Sequence, residues 1–266
     1  MPLPRRNLHQ PRRLPPPAKL QIDPKAVDIL KATSEKLAGA KTLSFTAVEL
    51  FERLSRQDAP LAYTNKYEVI LQRPDKLRVL RPADSPATEF YLDGKSMTVY
   101  VPADKLIAVT DAPPTIDGAL EAAYKKAAIY LPFTDFIVAN PYGDLAPGIK
   151  HAYYIGQSQV VGGTTTDMVA YADDGVFAEL WIGADDKLPR LIRAVFLDDP
   201  EGLRHEMAFS DWKLDEPVAA SMFAAANSAD AKHIPFARPE TELPTNAPKP
   251  VKGKQASKTN PQKPQQ

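Results

Sequence analysis

Four histidines, two of the three adjacent-aspartate pairs, one diglycine and a short series of arginines are the residues of this sequence whose types and spacing could do chemistry. The histidines are His9, His151, His205 and His233. None has a partner at the His-x-x-x-His spacing that puts two imidazoles on one helix face around a metal. They read as solvated or hydrogen-bonded residues. Asp173-Asp174 and Asp185-Asp186 pair carboxylates, but glycosidic chemistry needs two held across a cleft, one with its pKa raised by burial. Both pairs fall in predicted hairpin turns, where aspartate serves turn geometry. Gly162-Gly163 precedes a predicted strand rather than a helix, so it is no phosphate loop. Ser221 lacks the strand-turn-helix setting of an exposed nucleophile. With no cysteine in the chain, thiol nucleophiles, disulfides and zinc-thiolate sites are excluded. The sequence predicts a protein that is not an enzyme and carries no cofactor and no metal.

The arginines stand apart. Arg73, Arg78 and Arg81 share a strand neighbourhood with Asp75 and Asp84. A guanidinium cluster there suits a latch between elements or a contact to a ligand head group. The competing reading is a surface ion-pair cluster that adds little stability.

The elements that must position these residues come from 266 residues, 44% of them apolar. No apolar run approaches the roughly 20 residues that span a bilayer, so an integral membrane protein is not expected. Residues 1–20 and 238–266 are rich in proline and basic residues and read as disordered tails. The first twenty follow their positive charges with no apolar stretch, so no secretory signal is visible. Net charge is zero, but the tails are basic and the body between them carries about −10. An acidic body argues against nucleic acid as a partner. Residues 21–237 are read as a single domain.

That body opens with a helix: Asp23 is placed to cap it, Pro24 to start it and Gly39 to end it. Ala26, Ile29, Leu30, Thr33 and Leu37 form its apolar stripe. Strands follow over 42–55, 61–73, 77–81, 88–92, 95–101 and 106–110, with Asp93-Gly94 as a two-residue hairpin. In 42–55 the apolar positions change parity, which predicts a bulge near Ala47. A helix capped by Asp117 and a short helical turn over 133–140 interrupt the series. Strands resume over 150–161, 164–171, 176–182, 188–197 and 203–214. About eleven strands in runs, with segregated helices, predict an α+β fold. An antiparallel sheet that wide must twist or curl, and the helices then cover its concave apolar face. Phe45, Tyr67, Val69, Phe90, Met97, Val99, Leu120, Tyr124, Phe133 and Phe136 are the candidate lining of that interior.

Gln72-Arg73-Pro74-Asp75-Lys76-Leu77-Arg78 sits at a strand–turn–strand. Phe90-Tyr91-Leu92-Asp93-Gly94-Lys95, Thr115-Ile116-Asp117, Leu131-Pro132-Phe133-Thr134-Asp135, Tyr154-Ile155-Gly156 and Leu180-Trp181-Ile182 follow in order. Over roughly residues 22–236 this series resembles domain-of-unknown-function family 2092, the predicted periplasmic proteins. The resemblance implies the fold of the lipoprotein carrier LolA and its relatives LolB, LppX and RseB, an unclosed β-barrel that cups an apolar cavity under a helical lid. It implies a periplasmic protein that binds a lipid, an acyl chain or a lipoprotein anchor. The alternative it implies is an envelope-stress sensor of the RseB type, with an envelope protein as partner. It also places Arg78 where LolA has an arginine that latches lid to barrel.

Overall fold

The structure is a computed structural model, and it describes residues 21–82, 86–226 and 228–238. The predicted tails lie outside the described residues, except for Arg238. Helix α1 (Pro24–Gly39) begins where its signals stand. The Asp23 carboxylate accepts from the Lys25 N–H at 2.9 Å. Pro24 lacks an N–H that would find no partner in a first turn anyway. Ala26, Ile29, Leu30, Thr33 and Leu37 are buried, as the stripe predicts.

Six strands follow: β1 (Thr42–Leu54), β2 (Pro60–Gln72), β3 (Lys76–Arg81), β4 (Thr88–Asp93), β5 (Ser96–Val101) and β6 (Leu106–Asp111). Three helices then cross the sheet: α2 (Ile116–Ala127), α3 (Thr134–Ile137) and α4 (Pro141–Leu145). The chain returns through β7 (His151–Ser158), β8 (Thr166–Ala172), β9 (Val176–Gly183), β10 (Pro189–Phe196), β11 (Arg204–Leu214) and β12 (Lys232–His233). All twelve belong to one sheet, ordered β12-β6-β5-β4-β3-β2-β1-β11-β10-β9-β8-β7. Every ladder is antiparallel except β12 on β6. The two outermost strands, β12 and β7, do not pair, so the sheet is unclosed. The α+β expectation holds, with one strand more than the eleven expected.

Alternation decides which face each residue takes. Leu43, Phe45 and Ala47 of β1, Val69 and Leu71 of β2, and Leu77 and Val79 of β3 are buried in one core with α1, α2 and α3. The bulge predicted near Ala47 does not interrupt the β1–β2 ladder, which runs without a slip from Thr42 to Leu54. The irregularity lies against β11, between Ser44 and Thr46. Val48 points outward and is 42% exposed, so its apolarity misled the parity reading. The predicted Asp117 cap is also displaced by two residues. Thr115 caps α2, its hydroxyl accepting from the Gly118 N–H at 3.1 Å, while Asp117 accepts from the Ala139 N–H at 3.2 Å. Gly94 takes φ +92° in its hairpin, where a Cβ would stand 2.6 Å from Asp75 Oδ2. Only glycine meets both demands.

After β11 the chain forms a strap along the outer face. A single helical turn at Ala220–Phe223 packs on β3 and β4, and Phe223 is 1% exposed. Beyond it β12 lies along β6: the Lys232 N–H donates to Lys105 O at 2.7 Å and the Ile234 N–H to Ile107 O at 2.9 Å. Phe236 then packs against the core. At the opposite edge the Asp23 N–H donates to Ala152 O at 2.9 Å, and the Ala152 N–H to Gln21 O at 3.0 Å.

A cross-strand pair fixes the start of β11. Arg204 donates to Glu52 Oε1 through Nη2 at 2.6 Å and Nε at 3.1 Å, and its backbone N–H to Oε2 at 3.0 Å. Glu52 is only 8% exposed because Arg204 lies over it, not because it is deep in the protein. These donors hold the Glu52 carboxyl below its ordinary value of 4.5. A depressed folded pKa gives stability that is present above about pH 4.5 and lost as pH falls through the folded value. Glu52→Gln therefore lowers the melting temperature at pH 7 and flattens its decline below about pH 4.5. A mutant whose melting temperature falls with acid as steeply as the wild type's would remove Glu52 as a source of that decline.

Candidate functional site

The concave side holds a pocket of about 340 Å³ between residues 128–131, which follow α2, and strands β2 to β5. Tyr67, Val79, Phe90 and Val99 supply its sheet wall; Ala128, Ile129, Tyr130 and Leu131 supply the other; Arg81, Thr88 and Glu89 lie at its rim. The loop after α2 can turn here because Ala128 takes the left-handed conformation, φ 55°, and its N–H donates back to Tyr124 O at 2.9 Å. Tyr67, Phe90 and Val99 were among the expected lining residues, and the structure brings them together.

The other expected lining residues are arranged differently. Phe45, Val69, Met97, Phe133 and Phe136 are buried within the packed core. Phe133, with no exposed surface, meets Phe45 at 5.6 Å and Tyr67 at 5.4 Å between ring centroids. Phe136 meets Phe209 at 4.9 Å, and Trp212 lies 4.4 Å from Phe45. Leu120 packs on the edge of that core. Tyr124 is half-buried on α2, with the Arg238 guanidinium 5.8 Å from its ring. The aromatic residues thus fill most of the interior and leave a narrow pocket at one end.

Electrostatics at the pocket come from few groups. The Tyr67 hydroxyl donates to Glu49 Oε2 at 3.1 Å, and Asn65 donates to the same oxygen at 2.9 Å. Burial, then the Glu49 charge, push the Tyr67 pKa up. Tyr130 keeps 52% of its surface open, yet it stands in a concavity whose walls desolvate its hydroxyl and raise its pKa, helped by Asp135. Asp135 is likewise open to solvent but ringed by protein, which raises its carboxyl.

Arg78, expected as the latch, and Arg73 reach different surroundings. Arg78 pairs across the ladders with Ile70 and Tyr91. Its neighbours Leu77 and Val79 face the core, so its side chain takes the outer face, where it lies by the Tyr91 hydroxyl. Burial and a hydrogen bond to Glu89 push that hydroxyl's pKa up to about 12. Arg73 reaches the helices instead. It donates through Nη1 to Ile137 O at 3.0 Å and through Nη2 to Val138 O at 3.1 Å and Leu37 O at 3.3 Å. Burial lowers its pKa, against the pull of the Asp117 charge. Next to it, Pro74 O accepts from the Ile116 N–H at 2.9 Å. One turn therefore ties the ends of α1 and α3 to the start of α2.

Sequence reasoning missed the ring pairs at the far end of the long strands. β1 and β2 run for 13 residues each, while β3 to β6 run for 6. Inward-facing Phe51 and Tyr63 stack at 5.7 Å on that overhang, with Arg53 5.5 Å from the Phe51 ring. Phe196 and His205 meet edge to face at 5.0 Å nearby on β10 and β11. Burial lowers the His205 pKa. The unequal strand lengths were the signal that could have located them. Among the described residues no group of acids and histidines could hold a metal ion, and no helix is long and apolar enough to cross a membrane.

The model of the DUF2092 family, described as predicted periplasmic proteins, matches residues 26–237. The chain belongs to this family. It is thus a member of a periplasmic group. No curated protein sequence matches it. Among solved structures it is similar to MucB, with 16% identity and a TM-score of 0.47 over 77% of this chain and 64% of that one. It is also similar to LprF from Mycobacterium bovis, with 16% identity and a TM-score of 0.46 over 75% and 97%. A LolA superfamily protein from Nitrosomonas europaea is similar at 12% identity and a TM-score of 0.34 over 75% and 97%. The DUF2092 chain spans less than two thirds of MucB.

Proposed function

We propose that this DUF2092 protein is a non-catalytic periplasmic binding protein that shelters an alkyl or acyl chain in the pocket between residues 128–131 and β2 to β5. The observation that carries this is the apolar wall formed by Val79, Phe90, Val99, Ile129 and Leu131 around about 340 Å³. That volume lies at the low end of ligand pockets, which run from about 300 to 1,000 Å³. It suits one chain. Each methylene removed from water contributes about 0.8 kcal/mol, so affinity needs no polar chemistry. A lipoprotein anchor with several chains requires the α2–α3 lid to move, and the Arg73 turn is the tie that would have to yield.

The test is titration of a fluorescent fatty acid into the native protein, with Val99→Trp as the filled-pocket control. The wild type binds at a stoichiometry near one, and Val99→Trp loses binding. Overpacking there costs about 1–3 kcal/mol, so the mutant's circular dichroism and melting curve must show that it is folded. Equal binding by a folded Val99→Trp protein would sink this reading. The second reading, an envelope-protein interaction module, is favoured by the overhang, where Leu61 and Tyr63 are 47% and 48% exposed. Native mass spectrometry separates the two: bound lipid supports the carrier, and a bound protein over an empty pocket supports the module.

A further inference from the structure

We infer that the pocket takes an amphiphile with an oxyanion head, a carboxylate or a phosphate, and that Arg81 holds that head at the rim. This rests on the alkyl-chain reading above and adds the class of head group. Arg81 closes β3 opposite Thr88. It shares parity with Leu77 and Val79, so it faces the concave side, and it lines the pocket beside Tyr67 and Phe90. A cation placed where an apolar pocket opens matches a ligand with a tail and an anionic end.

The contacts of Arg81 leave it short of acceptors. One Nη2 hydrogen bond reaches Pro86 O at 3.4 Å, a long contact to an exposed loop carbonyl. The guanidinium also lies against the Tyr67 hydroxyl. Its Nε is buried without a partner, and among the described residues no carboxylate forms an ion pair with it. Among the described residues, the acids at and beside the rim have other partners. Glu89 also lies at the rim, but its carboxylate accepts from the Tyr91 hydroxyl at 2.7 Å. Glu49 already accepts from Tyr67 and Asn65 through one oxygen. A buried donor left unmade is costly, and the planar guanidinium fork matches an oxyanion, which can take two N–H bonds at once.

The opposite wall offers the contrary possibility. Tyr130 lies within reach of the charges of Asp135 and Glu49, and an ammonium head would go there. Asp135 is the poorer anchor, because the surrounding protein disfavours its charged form.

The experiment compares ligands with one twelve-carbon tail and four heads: dodecanoate, dodecyl phosphate, dodecylamine and dodecanol. Each displaces a fluorescent fatty acid from the full chain at low ionic strength. The two anions should bind about tenfold more tightly than dodecanol, as expected for a charge-assisted hydrogen bond at a partly buried site. Arg81→Gln should bring both anions to the level of dodecanol and leave dodecanol unchanged. Arg81→Lys should keep part of the preference. Unchanged dodecanol binding also shows that each variant is folded. Dodecylamine binding as well as the anions, or an anion preference that survives Arg81→Gln, overturns the head-group inference and spares the alkyl pocket. Inorganic phosphate that competes as strongly as dodecyl phosphate overturns it too, because the site would then serve a free oxyanion. Failure of all four ligands overturns the alkyl pocket and this inference together.

Discussion

Replacing Arg73 with leucine lowers stability by about 3 kcal/mol in urea unfolding and raises amide exchange at the end of α1 and through residues 133–139. Three carbonyls, those of Leu37, Ile137 and Val138, lose their donor at once. Hydrogen bonds from a charged group contribute about 1.5–3 kcal/mol each, and the cost of desolvating the half-buried guanidinium offsets part of that sum. Lysine in its place restores little, because its single ammonium nitrogen cannot reach three carbonyls that the guanidinium meets through two separate nitrogens. Arg78→Leu is the contrast. That side chain lies on the outer face, so its loss costs under about 1 kcal/mol and leaves exchange in α2 and α3 as it was. Lid exchange that rises in Arg78→Leu and stays unchanged in Arg73→Leu would reverse the assignment of the latch.

Phe133→Ala destabilises the protein by about 3–5 kcal/mol, the range for removing a fully buried aromatic side chain. Phe133 has no exposed surface and fills the space between Phe45 and Tyr67. Tyr67 and Leu131 also line the pocket, so the space vacated by the ring lies next to it. The mutant should therefore accept a longer alkyl chain than the wild type, even as it unfolds at lower denaturant. Competition by fatty acids of increasing length measures this directly. A mutant that loses stability but shows the wild-type chain-length limit would mean that the interior collapses on the deletion, and that Phe133 does not set the depth of the pocket.

Much of the fold was legible because local signals agreed with tertiary need. Asp23 and Pro24 start α1 where the apolar stripe requires it, and Asp93-Gly94 turns the β4–β5 hairpin. Two features hid. Residues 215–236 are short of the large alternating residues that mark a strand. Residues 220–223 and 232–236 take their places from the sheet that others have built, with Phe223 as anchor. The latch hid for another reason. The Gln72–Arg78 motif was singled out, but periodicity cannot say which arginine of a turn leans over the sheet edge. Arg73 precedes the turn and can reach α1 and α3, while Arg78 is held by strand alternation on the far face. The aromatic residues were read as buried, and the sequence held nothing to separate a ring that fills an interior from one that lines a space. That depends on the volume of the whole cup.

The chain lies along part of each outer edge of the sheet, β12 along Leu106 and Ile107 of β6 and residues 21–23 along β7 at Ala152. A bare strand edge is a template on which other copies can add. Each terminal segment is therefore also a guard against self-association. A protein shortened to residue 214 loses the packing of Phe223 and Phe236 and presents the β6 edge unpaired. It should then self-associate more strongly than the full chain at equal concentration. Any tag or fusion is safest placed beyond Arg238, where it leaves that guard in position.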